Sequence, residues 1–154
     1  MAISTALFSS RSEEWETPNG FFKELDREFH FTLDACATAE NAKVKANYIT
    51  KEIDALRVPW TGVVWCNPPY GRDIGLWFRK VRIEAEAGST VVMLAPARTD
   101  TRWWHDNVQG IASEVRFVRG RLKFQGGESK GAKAVASQSA PFPSAVIIYR
   151  PKAS

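Results

Sequence analysis

Three consecutive stretches restrict what this chain can fold into. Val63-Val64-Trp65-Cys66 is a continuous apolar run, as a strand buried on both faces requires. Ile74, Trp77, Phe78, Val81 and Ala85 then recur at helical spacing, and Gly88 is a natural stop. Residues 90–95 form a second apolar run, closed by Pro96. Strand, helix and strand at this spacing make a βαβ unit, and such units build parallel sheets with right-handed crossovers.

The flanking segments extend that sheet. Thr17 followed by Pro18 reads as a helix N-cap and first helical position, and Phe21, Phe22, Leu25 and Phe29 then mark an amphipathic helix. Phe29, Phe31 and Leu33 alternate with His30 and Thr32, which predicts a strand delivering Asp34 at its carboxyl end, where an open α/β sheet binds its ligands. Asn47-Tyr48-Ile49 reads as a very short strand, and Asp54-Ala55-Leu56 as the end of another turn. A short helix over 103–108 comes next. Residues 115–118 and 121–124 read as a hairpin turning at Arg119-Gly120, and 146–149 as a final buried strand. The expected fold class is α/β, a compact Rossmann-like sandwich with a mostly parallel sheet and an antiparallel edge hairpin.

At 154 residues the chain is expected to be one domain over 15–150, preceded by a flexible arm at 1–14. Residues 125–140, rich in Gly, Ser, Ala and Lys without apolar periodicity, read as a mobile loop. Hydrophobic residues at 44% and charged residues at 25% describe an ordinary soluble globular protein. No run of 18 apolar residues and no signal-peptide pattern is present, so the expected location is cytoplasmic, without membrane contact. Cys36, Cys66, His30 and His105 lie in no metal-ligand spacing, so free thiols and no metal site are expected. The net charge of +4 favours a polyanionic partner without deciding for one.

The chemistry concentrates where the first strand of the βαβ unit ends, in Asn67-Pro68-Pro69-Tyr70-Gly71. A proline disfavours the α region for the residue before it and fixes its own φ, so Asn67 and Pro68 are held extended. The Asn67 amide oxygen and the Pro68 carbonyl can together accept both hydrogens of one exocyclic amino group. Tyr70 adds a ring face on which a planar base can stack.

Five segments in one order then carry a resemblance over roughly 15–150: Trp15-Glu16-Thr17-Pro18, Leu33-Asp34-Ala35-Cys36-Ala37, the Asn-Pro-Pro-Tyr stretch, residues 94–101 and Gly120-Arg121-Leu122-Lys123-Phe124. Together they resemble the phage-type DNA N6-adenine methyltransferases, a Dam-like family that uses S-adenosylmethionine (SAM). The resemblance implies transfer of methyl from SAM to the N6 amino group of a flipped-out adenine in double-stranded DNA. Asn67, Pro68, Pro69 and Tyr70 would be the catalytic residues. Asp34, Ala35 and Cys36 would hold the methionine end of SAM, with Trp15, Thr17, Pro18 and Asn67 packing nearby and Asp54, Ala55 and Leu56 beside its adenine. The glycine-rich loop usual in the wider fold is absent, and Asn47 and Asp54 both remain candidates for the ribose.

DNA contact would come from Arg98, Arg102, Arg119, Arg121, Lys123, Lys130 and Lys133, interleaved with Trp103 and Trp104, and the 125–140 loop is the candidate for target recognition. Several alternatives stay open on the sequence alone. Asp34 serves either the cofactor or as an N-cap, and Trp15 either meets the cofactor or staples onto Phe22. The same loop suits RNA adenine, cytosine N4 or protein glutamine, and a non-catalytic DNA-binding module has the same fold. The chain acts as a monomer or a homodimer, in the host cytoplasm if phage-encoded.

Overall fold

The computed structural model of the protein describes residues 15–126 and 139–152. The N-terminal arm, most of the 125–140 loop, Lys130 and Lys133 lie outside the described residues.

The predicted βαβ unit is present. Strand β3 (Val63–Cys66) leads through helix α2 (Ile74–Glu86) to strand β4 (Thr90–Pro96), and the two strands pair in parallel, Trp65 opposite Val92 and Cys66 opposite Met93. On the outer side of β3 lies β2 (Leu33–Asp34), also parallel, and the predicted short strand at 47–49 reduces to one parallel bridge between Asp34 and Tyr48. Beyond β4, strand β7 (Ser144–Tyr149) runs antiparallel and is itself flanked by the edge strand β5 (Glu114–Phe117). The sheet order is therefore β2-β3-β4-β7-β5, with a parallel core and antiparallel ladders toward one edge.

Side chains alternate across a strand, and residues opposite each other in register share a face. Trp65, Val92 and Ile148 thus share one face. It is covered by helix α1 (Asn19–Phe29), whose Phe22 meets Trp65 edge-on at 5.4 Å between ring centroids. Val91 and Tyr149 share the other face, where Phe78 of α2 lies 6.4 Å from Tyr149 and stacks at 5.0 Å on Trp103 of helix α3 (Arg102–Asn107). Each such large side chain taken out of water contributes about 1.5–3 kcal/mol, so both helical layers are held by burial.

Three expectations need correction. The hairpin over 115–124 does not form. After β5, Gly120 at φ 72° turns the chain away, the Leu122 carbonyl accepts the Ala140 N–H, and Phe124 is buried against Trp15 and Phe142. Residues 125–126 then form β6 (Gln125–Gly126), paired antiparallel with β1 (Trp15–Glu16). An aromatic ring gains more from that cluster than from the solvent-facing side of an edge strand. Thr17 does not cap α1: Pro18 occupies the cap position, and among the described residues no side-chain cap bond is present. The strand predicted from Phe29 shrinks to two residues, because Phe29 ends the helix, His30 turns left-handed and the Asp26 carboxylate accepts the Phe31 N–H.

Candidate active site

Asn67 follows β3 directly, at the carboxyl ends of the parallel strands. Its amide nitrogen donates to the Trp15 carbonyl at 2.5 Å and to the Thr17 hydroxyl at 2.9 Å. A carbonyl can only accept, so the Trp15 oxygen dictates which way round the amide sits. Both N–H groups are thereby used. The amide oxygen points away, buried, and among the described residues it has no hydrogen-bond partner. An unpaired buried acceptor costs roughly 1–3 kcal/mol, and native structures keep few of them.

Pro68 is buried beside it and Pro69 half-buried. Tyr70 is buried too, its hydroxyl donating to the Leu94 carbonyl at 3.0 Å, with Phe142 and Phe124 set edge-on at 5.6 and 6.4 Å. Burial holds the phenol well above its ordinary pKa, so it remains a donor. Tyr70 borders a cleft of ≈ 430 Å³ that is also walled by Trp15, Pro96, Arg98, Trp103 and Phe142. That volume lies within the roughly 300–1,000 Å³ of small-ligand sites.

Asp34 ends β2 next to β3, only 2% exposed. One of its oxygens accepts the Cys36 N–H at 3.2 Å and the other the Lys43 N–H at 2.8 Å. Burial pushes its carboxyl up to about 6, against the downward pull of those two bonds. The carboxylate therefore shapes the loop after β2, and no helix follows there for it to cap. The Ala35 N–H is bound to the Trp65 carbonyl, which keeps that loop against β3.

Beside the loop lies a second cleft of ≈ 400 Å³, bordered by Glu16, Asn19, Phe22, Asp26, Lys43 and Lys45. The Lys43 ammonium donates to Asn19 at 2.6 Å. Burial lowers its pKa, and Glu16 and Asp34 pull it back up. Sequence reasoning missed Asn19 and Lys43. Neither follows an apolar period, and they meet only because Asp34 folds the 36–43 segment back.

The structure thus brings Trp15, Thr17, Pro18, Asp34, Ala35, Cys36 and Asn67 to the same end of the sheet. Asp54, Ala55 and Leu56 form a local turn: Asp54 caps the 3₁₀ segment Ala55–Arg57, and the Ala55 carbonyl accepts the Trp60 indole N–H at 2.9 Å. Trp15 packs on Phe124 and Phe142 rather than stapling onto Phe22. Cys66 is fully buried, and burial raises its thiol pKa, so it stays protonated. No group of described residues could hold a metal ion, and no helix among them is long and apolar enough to cross a membrane.

A family model described as DNA N-6-adenine-methyltransferase (Dam) matches residues 4–154. The chain belongs to this family. The DNA N-6-adenine-methyltransferase of Haemophilus phage HP1 (strain HP1c1) is 31% identical over 147 residues, which cover 94% of this chain and 82% of that relative. Among solved structures, a protein provisionally described as a methyltransferase, in complex with SAH, is similar with a TM-score of 0.41 and 12% identity. The match covers 75% of this chain and 28% of that one, so the chain spans little more than a quarter of its length.

Of the basic residues assigned to DNA in this family member, Arg98, Arg102, Arg119, Arg121 and Lys123 are exposed. Arg98 lies over the Phe142 ring, 5.8 Å from its centroid, and both line the first cleft. Trp104 is corrected: at 3% exposure it points into the core under Phe117, so it is Trp103 that borders the cleft.

Proposed function

We propose that Asn67, Pro68, Pro69 and Tyr70 carry the activity of this family in this chain, SAM-dependent methylation of adenine N6 in DNA. The observation that supports this reading best is the Asn67 amide, with both N–H groups engaged and its oxygen unpartnered. That oxygen and the Pro68 carbonyl accept the two N6 hydrogens, which favours the pyramidal, more nucleophilic nitrogen and aims its lone pair. A neutral amide is sufficient there. The surplus proton leaves after the nitrogen has become cationic, so no strong base is required.

N6 is hidden by pairing in the duplex, so the adenine is flipped out, at a cost of a few kcal/mol. Tyr70 offsets part of that by stacking, worth roughly 1–3 kcal/mol. SAM supplies an activated methyl on a sulfonium. Its zwitterionic methionine end fits the mixed charges of the second cleft, Glu16 for the ammonium and Lys43 for the carboxylate, on the loop that Asp34 shapes. Trp15, Pro18, Ala35 and Cys36 enclose the same end. Arg98, Arg102, Arg119, Arg121 and Lys123 meet the phosphates of double-stranded DNA, in the cytoplasm where DNA and SAM occur together.

The test is transfer of labelled methyl from SAM to unmethylated duplex DNA, with nucleoside analysis of the product. N6-methyladenine is the expected product. Label in cytosine, RNA or protein, or no transfer, overturns the reading.

A further inference from the structure

We propose that Thr17 is a positioning residue for methyl transfer: with the Trp15 carbonyl it holds both N–H groups of Asn67, so that only the amide oxygen faces the target amine. The inference rests on the reading of Asn67 as the acceptor and adds how that acceptor is aimed. It gives Thr17 a role distinct from cofactor contact.

An asparagine amide can turn over about its last bond, exchanging a donor for an acceptor at nearly the same shape. An amide nitrogen facing the N6 amino group would repel it. Something has to fix the orientation, and neither proline of the loop does so, since both restrain only the backbone. The Trp15 carbonyl, 2.5 Å from the amide nitrogen, can only accept and so selects the orientation, and the Thr17 hydroxyl, buried and 2.9 Å from the same nitrogen, accepts the second N–H and holds the amide there. Turned over, the Asn67 oxygen would meet the Trp15 carbonyl oxygen head-on.

The clamp is itself well anchored. Trp15 and Glu16 are paired with Gly126 and Gln125, and the Trp15 ring packs at 5.6 Å on Phe124 and 5.2 Å on Phe142. A segment 50 residues upstream of Asn67 is thus held where its hydroxyl and carbonyl can orient the amide.

Thr17→Val keeps the shape and removes the acceptor. The expected result is a kcat lower by roughly tenfold, the scale of one hydrogen bond, with KM for DNA and Kd for SAM within twofold of wild type. Thr17→Ser restores kcat. In wild type, the side-chain NH₂ protons of Asn67 exchange slowly with solvent by NMR, and Thr17→Val speeds that exchange. An unchanged kcat in Thr17→Val overturns the proposal, as does Thr17→Ser as slow as Thr17→Val. A loss of SAM affinity matching the loss of rate overturns it in favour of a cofactor contact. The wild-type NMR measurement requires neither a variant nor activity: fast exchange of the wild-type amide sinks the clamp outright. Failure of wild type to methylate DNA, with the amide still protected, would remove the function while leaving the clamp.

Discussion

At the amino ends of β3 and β4, Glu84 is enclosed on both sides, one oxygen accepting the Trp60 N–H at 2.9 Å and the other the Lys80 ammonium at 2.7 Å. Ser89 donates to the Trp60 carbonyl at 2.6 Å, and the Trp60 indole donates to Ala55. At the carboxyl ends of the same strands, Asn67 has its nitrogen bound twice and its oxygen, among the described residues, not at all. Both ends are buried and polar, but only one is finished. A fully partnered cluster contributes to stability and offers nothing to a ligand, whereas an unpartnered acceptor costs stability and is recovered when a donor arrives.

The sharpest way to break this contrast is Asn67→Ala. Methyl transfer is expected to fall by at least 10²–10³-fold, the scale of losing one preorganised polar group, while the melting temperature hardly moves. An active variant would sink the assignment. Glu84→Ala should do the reverse. It strands the Lys80 ammonium and the Trp60 N–H, and breaking a buried pair costs about 3–5 kcal/mol, read as a lower denaturant midpoint. Activity per folded molecule should be unchanged, and a loss below about 1 kcal/mol would mean that the amino end is not the stabilising one.

A third prediction concerns Asp34, which lies at the unfinished end yet has both oxygens bound. Its carboxyl is pushed from 3.8 up to about 6 by burial, so the native state holds the proton more tightly than the unfolded chain. The stability this contributes is complete below about pH 4 and is lost as pH rises through about 6, on the order of 3 kcal/mol at about 1.4 kcal/mol per pH unit. Asp34→Asn abolishes that titration. The stability of wild type relative to the variant should therefore decline across this window, and a difference independent of pH would contradict the buried carboxyl. The smallest effect is expected of Ser89→Ala, about 1 kcal/mol, by denaturant titration with unaltered transfer activity.

Much of this arrangement was legible before any coordinates. Val63–Cys66, the α2 face and the 90–95 run obey the periods of burial, and the structure has β3, α2 and β4 in those places. The candidate site is legible for a different reason. Asn67-Pro68-Pro69-Tyr70 is a run of local chemistry, in which two prolines and an amide constrain one another within a few bonds. What escaped were contacts that no local pattern announces. The β1–β6 ladder has two residues on each side, too short for any period to register. Trp103 and Trp104 are neighbours of identical type, and only packing decided that Trp104 turns inward while Trp103 borders the cleft.

Thr17 shows where the division falls. Its position before Pro18 suits a helix cap by every local rule, and by local rules alone that is its role. The sequence by itself determined the parallel βαβ frame, the rigid amide-proline loop and the family, because these depend on spacing and on neighbours along the chain. Tertiary structure alone decided that the Thr17 hydroxyl turns to Asn67, that Asp34 spends its carboxylate on the loop, and which amide atom is left unpaired. Those outcomes depend on which hydrogen-bonding groups come within about 3 Å of one another, and that distance is set by the packing of the whole sheet.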